Sequence, residues 1–549
     1  MILKACLKDN DAVNVEEVYI KVTPQESNSG EIIGFVTVKD VLECGRRLKK
    51  CAVSFRDKNR NSGHIACGFL FWKMTRYSYI EDEDSYAIMN DLSEQNILES
   101  WENWYLKVLK CSIPLAPKWK WCISGYGCII FKDKDMHTES KYYHQIRART
   151  VIKAAHEGKV LPMKPALQVG NACLFFCMSL KKHQGMWMKR CQDLVEDMNM
   201  LSSRLRMVHG NDSQFYLSRY DIDTFFPSID CSALRPAIEF FVEDRKFENG
   251  FWVHKKNKKW IFTVKPQLEE CFHYISVAQL KMLIDHEIQN GFFLLGKQLV
   301  LKQLKGISIG GHLSSALAIL LANYAEHMAL TVISGYPQMY ISGMHVIGGL
   351  RITDDGLLLV TVNKLWPNNF QTAAIILNIF VELFMFFTNR SLLVLFEDYS
   401  KKYEFLENIV VHHKDSVYVR FHVKNFDHIR KYGCQKVKKG AAKDSATSAN
   451  VKINTLMSTF FRIRIGSSFD DFCKCDALKY IYEVASVYDW PRSWLMKALY
   501  KTASHKTQVE GIWSQIIHIA EEVRKKGTGW LLEEIDKMEE SIAYRIFGL

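Results

Sequence analysis

One short stretch, residues 345–360, constrains the fold of this 549-residue chain more than any other. Apolar residues precede and follow an acidic turn that carries Asp354 and Asp355. The pattern predicts a β-hairpin with two carboxylates at its tip. Because adjacent carboxylates repel each other, bringing a third acid to this tip is costly unless cations lie between them.

Two earlier elements give the acidic pair a context. An apolar strand-like run leads into Asp221, and Pro227 then ends the strand pattern. Later, a glycine-rich loop around Gly310 precedes a helix of small residues, 316–328, and such a loop can bring backbone close to a ligand. Each element alone is usually a solvated turn or an ordinary loop. Their order along the chain indicates a shared site.

The residue types favour binding of hard cations. Carboxylate oxygens are the ligands that Mg²⁺ and Mn²⁺ prefer. Two such ions, about 3.5–4 Å apart, can activate a primer 3′-hydroxyl and neutralise a triphosphate in nucleotidyl transfer. We expect Asp221 and Asp354 to bind both ions, Asp355 to support or complete the site, and the Ile222 carbonyl to be a further ligand.

The three elements resemble motifs A, B and C of the reverse transcriptase superfamily, at residues 220–229, 306–315 and 351–355. Ile352 stands where that family usually has an aromatic residue. Ile309 before the motif-B glycine resembles the Penelope-like elements, the branch nearest telomerase. The resemblance implies an α+β right-hand polymerase with fingers, a palm built on an antiparallel sheet and a helical thumb.

The resemblance also implies a division of the chain. No counterpart of the GIY-YIG nuclease of Penelope-like elements is visible, and whether a separate partner supplies a nuclease is left open. The predicted parts are an N-terminal α+β extension of unknown role (1–115), fingers (116–220), a palm (221–435) with a fingers segment at about 232–300, a flexible linker (436–450), and a helical thumb with a closing helix (451–549).

Several further residues take roles from the resemblance. Lys132 and Arg149 would reach the triphosphate from the fingers. Phe226 would be a steric gate that blocks a ribose 2′-hydroxyl, and Gly310 would let the backbone lie against the incoming base. The residues implied in binding nucleic acid are Gln303, Arg420, Arg462, Arg464 and Arg492.

These roles predict an RNA-directed DNA polymerase. Its partners would be an RNA template, a DNA primer or nascent RNA–DNA hybrid, and dNTPs. Two alternatives remain: a catalytically inactive, domesticated scaffold that binds RNA, and a viral RNA-dependent RNA polymerase. All three aspartates are present, which argues against the scaffold, and Phe226 argues against RNA synthesis.

Composition and termini agree with an intracellular enzyme. The net charge of +12 permits a polyanionic partner. The fifteen cysteines are scattered singly along the sequence, a pattern that favours reduced thiols over disulfides. No signal peptide is visible at the N-terminus. The most apolar stretch, 372–388, includes Asn378 and Glu382 and is expected to be a buried helix, not a membrane span. We expect a nuclear or cytoplasmic protein without membrane attachment.

Overall fold

The structure is a computed structural model, and the residues that it describes are 25–26, 32–33, 51–56, 59–93, 95–97, 99–100, 103–104, 126–131, 148–153, 155–156, 159–160, 173–174, 186–188, 190–244, 250–256, 259–263, 273–295, 299–307, 313–335, 340–341, 344–396, 402–413, 416–433, 448–488, 490–505 and 510–547.

The described part of the chain combines helices and mostly antiparallel sheets, as predicted. The strands are β1 (Gln25–Glu26), β2 (Ile32–Ile33), β3 (Cys51–Arg56), β4 (Asn59–Cys67), β5 (Tyr86–Ile88), β6 (Tyr126–Phe131), β7 (Ala148–Lys153), β8 (Ala155–His156), β9 (Lys159–Val160), β10 (Ser213–Ile222), β11 (Gly250–Lys256), β12 (Lys259–Thr263), β13 (His273–Ser276), β14 (Phe292–Leu295), β15 (Leu299–Gln303), β16 (Tyr340–Ile341), β17 (Met344–His345), β18 (Ile347–Ile352), β19 (Asp355–Asn363), β20 (Val394–Phe396), β21 (Lys402–Phe405), β22 (Asn408–His413) and β23 (Ser416–Phe421). The helices are α1 (Gly68–Tyr79), α2 (Leu194–His209), α3 (Phe225–Ser228), α4 (Cys231–Asp244), α5 (Val277–Gln289), α6 (Ser314–Ser334), α7 (Asn369–Phe387), α8 (Lys424–Tyr432), α9 (Ala449–Ile465), α10 (Asp470–Val487), α11 (Arg492–Ala503) and α12 (Glu510–Phe547).

We call the four-stranded sheet β18-β19-β10-β20 the acidic sheet. Each of its strands runs antiparallel to its neighbours, and β18 and β19 form the predicted hairpin. The interior of β19, from Gly356 to Val362, is buried at every position. Such a continuous run is expected because layers cover both faces of the sheet.

The two covering layers differ. Toward one face, Tyr216 and Tyr220 of β10 join the largest apolar core, which also contains residues of α4, α6 and α7. Toward the other face, Phe215 and Leu217 pack with α2 and with the three-stranded sheet β21-β22-β23. Side chains alternate along a strand, so Asp221 continues this second face at the end of β10.

The C-terminal residues form a helical bundle, α9 to α12, with a core of its own. Phe421 of β23 and Phe426 of α8 also belong to that core, so the bundle is continuous with the sheet β21-β22-β23. Within α12 the helical backbone is interrupted at Gly527, whose φ of 83° is left-handed. The predicted linker, 436–450, lies almost wholly outside the described residues.

A second sheet, of five strands in the order β5-β15-β14-β6-β7, shares no strand with the acidic sheet. Its core contains Tyr79 of α1 and Tyr86 of β5 beside Ile129 and Phe293. The predicted boundary at residue 115 therefore runs through this sheet, because β5 pairs with β15. The three-stranded sheet β12-β11-β13 falls between α4 and α5 in sequence.

Two helices in the described part, α6 and α7, have the length and hydropathy of membrane spans. Both contribute buried residues to the largest apolar core, and most of the apolar window of α6 is buried. The predicted buried helix at 372–388 corresponds to α7, of whose apolar window 33% is buried.

Candidate active site

Three aspartates converge at one end of the acidic sheet. β18 ends at Ile352 and β19 begins at Asp355, so Thr353 and Asp354 form a two-residue hairpin turn. Asp221 lies directly opposite Asp355 in the β10–β19 register. The Ile222 backbone N–H donates a hydrogen bond to the Asp354 carbonyl, at 3.2 Å, which ties the turn to β10.

The turn has an unusual backbone. Thr353 has a φ of 53°, in the left-handed region that β-branched residues rarely adopt. A conformation of this kind persists only where surrounding contacts hold it. Ile352, just before the turn, is partly buried and packs against the core on the second face of the sheet.

The carboxylates repel one another. Asp221 reaches solvent, but partial desolvation raises its pKa above the usual value for an aspartate, and the nearby Asp354 and Asp355 raise it further. Arg219 acts in the opposite direction. The cluster is therefore a place where added positive charge is favourable.

One resident cation already contacts the cluster. A guanidinium nitrogen of Arg219 lies 3.1 Å from an Asp355 carboxylate oxygen, and both side chains are about a third exposed. Arg219 and Asp221 are two residues apart on β10 and so share a face with Asp355. The pair holds Asp355 beside Asp221. Sequence reasoning missed Arg219, although a charge two residues before a strand-end acid was a usable signal.

The segment after Asp221 is fastened to the glycine-rich loop. Thr224 has a left-handed φ of 44°, and the short helix α3 follows with Phe226 half-buried. The Phe226 carbonyl accepts a hydrogen bond from the Ile307 N–H at 2.9 Å. Gly306 lies against Pro227 so closely that a Cβ would come within 2.3 Å of the Pro227 carbonyl oxygen. The backbone that carries Phe226 is thus fixed by the residues just before the predicted motif-B glycine.

Three other predicted site residues lie partly or wholly outside the described residues. Lys132 and Gly310 are outside them, and of Arg149 only the backbone is described, on β7 opposite Ile130. Gln303 is buried at the end of β15, where its amide donates to the Lys305 carbonyl at 2.9 Å. The Gln303 amide is thus held by the segment just after β15 and not by the aspartates.

The four predicted nucleic-acid arginines all have partners within the fold. Arg420 is paired with Asp476 and Glu539 in a largely buried network. The other three are more exposed: Arg462 pairs with Glu407, Arg464 pairs with Asp470, and Arg492 donates to the carbonyls of Ala520 and Glu521. The side chains of Arg462 and Arg464 therefore remain partly exposed to solvent, whereas the side chain of Arg420 is largely buried.

The donor set at the acidic tip fits a hard divalent cation. Asp221, Asp354 and Asp355 supply only oxygen atoms, and the hairpin register brings them together. Among the described residues, the group whose ligand atoms all lie within 4.8 Å of one another is a different one, Cys475, Asp476 and Glu539, whereas the three carboxylates at the acidic tip are spaced more widely. In the Cys475 group, however, Arg420 and Lys479 already supply the positive charge.

Comparison with known proteins gives structural likeness alone. No protein-family model matches the chain, and no curated protein matches it. Telomerase from Candida albicans, in complex with a TWJ fragment of telomeric RNA, is 11% identical over 88% of this chain and 68% of that one, with a TM-score of 0.49. Apo telomerase from Candida tropicalis is 12% identical over 93% and 76%, with a TM-score of 0.44. The BmCPV RNA-dependent RNA polymerase in its elongation state is 11% identical over 77% and 34%, with a TM-score of 0.33. Values this low carry no argument about activity.

Proposed function

We propose that this chain is a template-directed nucleotidyl polymerase that works with two Mg²⁺ or Mn²⁺ ions, and specifically an RNA-directed DNA polymerase. The convergence of Asp221, Asp354 and Asp355 at one end of the acidic sheet is the observation that carries the proposal. In this assignment the acidic sheet and its covering helices are the palm, the five-stranded sheet belongs to the fingers, and the helical bundle is the thumb.

The residues of the site would divide the work. Asp221 from β10 and Asp354 from the hairpin turn would hold the ions, with Asp355 kept beside them by Arg219. Bound ions would activate the primer 3′-hydroxyl and neutralise the charge of the triphosphate. Lys132 and Arg149 would bind the triphosphate, and Gly310 would lie against the incoming base.

The preference for deoxyribonucleotides would come from Phe226. Its ring packs 5.5 Å from the ring of Phe225, and its backbone is fastened to Ile307, so it can oppose a 2′-hydroxyl without moving. A rigid apolar side chain at that point excludes an extra hydroxyl by steric conflict.

A primer-extension assay tests the proposal. RNA and DNA templates are each offered with dNTPs and with rNTPs, in Mg²⁺ and in Mn²⁺. We expect dNTP incorporation on the RNA template, and we expect Asp354→Asn to lower it by on the order of a thousandfold, about 4 kcal/mol of transition-state stabilisation. Asp212→Asn, at the opposite end of β10, is the matched control and should keep full activity.

The same assay separates the alternatives. Incorporation of rNTPs in preference to dNTPs would identify an RNA polymerase, and RNA binding without any incorporation would identify a scaffold. Phe226→Ala should raise the ratio of rNTP to dNTP use by at least about tenfold, because one steric contact is worth about 1–3 kcal/mol. Phe370→Ala, an exposed aromatic on α7, should leave the ratio unchanged.

A further inference from the structure

A fully buried ion pair lies directly beneath the acidic turn. Arg351, on β18, is among the largest side chains with no exposed surface, and its partner Glu326, on α6, is equally buried. The Arg351 Nε donates to Glu326 Oε1. Glu326 is the only acid in α6, a mostly apolar helix, and its carboxylate lies in the core against Arg351.

Glu326 connects several segments of the chain. Besides Arg351, it accepts a hydrogen bond from the Tyr220 hydroxyl at 3.4 Å and another from the Met186 N–H at 3.0 Å. Tyr220 immediately precedes Asp221, and its ring lies over Gly356, where a Cβ would come within 2.0 Å of the ring. One carboxylate therefore joins the strand of Asp221, the helix after the glycine-rich loop and the acidic hairpin.

Arg351 reaches the turn itself. Its Nη1 donates to the Thr353 carbonyl at 2.5 Å. That carbonyl belongs to the residue with left-handed φ and is bonded directly to the Asp354 nitrogen. The guanidinium is planar and presents several donors in fixed directions, so a single side chain can hold Glu326 and Thr353 at once. A lysine has one ammonium group and cannot reproduce both contacts in the same geometry.

A buried ion pair is not the most stable way to fill this space. Apolar residues of similar size often give equal or greater stability, because two charges must be desolvated. The contacts of Arg351 and Glu326 are instead specific in direction, and they end on the backbone of the acidic turn. What the pair contributes beyond burial is the orientation of that turn.

We propose that Arg351 and Glu326 are positioning residues that hold the Thr353–Asp354 turn in the conformation that binds metal, an inference that rests on the proposed two-metal site. Both side chains are fully buried, so neither would contact an ion or a substrate at the proposed site. Their effect passes through the Thr353 carbonyl to Asp354, and through Tyr220 to Asp221.

Titration of the purified full chain with Mn²⁺ alone, followed by electron paramagnetic resonance, tests the proposal without nucleotide or template. Arg351→Lys keeps the charge beside Glu326 but loses the contact with Thr353. We expect it to weaken Mn²⁺ binding at the Asp354-dependent site by about 10–100-fold, as for residues that orient metal ligands. Thermal unfolding of the same samples reports whether the fold is retained.

Arg430→Lys is the control, because Arg430 is also paired with a carboxylate, Asp536, but lies in the contact between α8 and α12 and belongs to neither group of acids. It should leave both the unfolding temperature and the Mn²⁺ affinity unchanged. Equal Mn²⁺ affinity of wild type and a folded Arg351→Lys protein would overturn the proposal. Should Arg351→Lys fail to fold, Tyr220→Phe removes one hydroxyl from Glu326, and unaltered Mn²⁺ affinity in that variant would likewise overturn it.

The outcome for positioning is separable from the outcome for function. Suppose that the wild-type protein binds Mn²⁺ through Asp354 and that Arg351→Lys weakens this binding, but that the wild type incorporates no nucleotide. This result would contradict the polymerase and leave the positioning role standing. An Arg351→Lys protein that polymerises nucleotides at the wild-type rate and binds Mn²⁺ with wild-type affinity would contradict the positioning role and leave the polymerase standing.

Discussion

Two buried arginines, Arg351 in the acidic sheet and Arg420 between β23 and the helical bundle, look alike in their surroundings and differ in what they hold. Arg420 donates hydrogen bonds to two carboxylates, Asp476 on α10 and Glu539 on α12. Arg351 directs one bond to a carboxylate and another to the backbone of a turn. The same chemical pairing thus joins elements in one region and orients a loop in the other.

The difference extends to the carboxylate partners. At Asp476, burial raises the pKa in spite of Arg420. At Glu539 burial also opposes ionisation, but the hydrogen bonds from Arg420 prevail and lower the pKa to about 2. Glu539 is thus an ionised acid that ties α12 to Arg420 of β23 and to Lys479 of α10.

The largest effect that we predict from this comparison is on stability, through Arg420→Met. Removing Arg420 from this buried network leaves Asp476 and Glu539 with Lys479 as their remaining cation, which costs about 3–5 kcal/mol in the free energy of unfolding. Urea denaturation measures it. Arg430→Met is the control, because Arg430 pairs with Asp536 at the surface and should cost less than about 1 kcal/mol. Similar losses in both variants would show that burial does not distinguish the two pairs.

A second prediction concerns acid. Because Glu539 has a folded-state pKa below its ordinary value of 4.5, its contribution to stability is present above pH 4.5 and is lost as the pH falls toward 2. Between pH 4.5 and 3 this contribution should fall by about 2 kcal/mol, at about 1.4 kcal/mol per pH unit. Urea denaturation at several pH values should therefore give a shallower acid dependence for Glu539→Gln. Parallel curves for the variant and the wild type would contradict the assignment.

The smallest effect is expected at the exposed arginines. Arg462 and its partner Glu407 are both around half exposed, so Arg462→Ala should change the free energy of unfolding by less than about 1 kcal/mol. If Arg462 also contacts phosphates, primer–template affinity should fall and the slope of log affinity against log salt should decrease by about one. Fluorescence anisotropy over a salt series measures this slope. Arg420→Lys, whose donors face inward, should leave the slope unchanged.

The sequence patterns of single strands and turns were enough to predict the backbone elements that carry the three aspartates. The hairpin at Asp354 and Asp355 and the strand ending at Asp221 follow from alternation and apolar runs, and the structure forms both. Glu326 also left a signal, as a lone acid in an apolar helix, but its partner Arg351 lies on another element and is selected by packing.

Arg420 shows the limit of such reasoning. The family resemblance implied that Arg420 binds nucleic acid. Its actual partners are 56 and 119 residues further along the chain, and only the docking of α10 and α12 brings them close. Sequence position alone cannot distinguish a charge that faces solvent from one enclosed by a later helix.

The contact between Arg219 and Asp355 has a consequence for the order of assembly. Acid clusters that depend entirely on a metal ion for neutralisation tend to couple folding to the arrival of that ion. Here a positive side chain from the neighbouring strand already offsets part of the charge. A newly synthesised chain would therefore close its hairpin beside β10 without an ion, and the ions of the proposed site would then enter where the backbone is already in place.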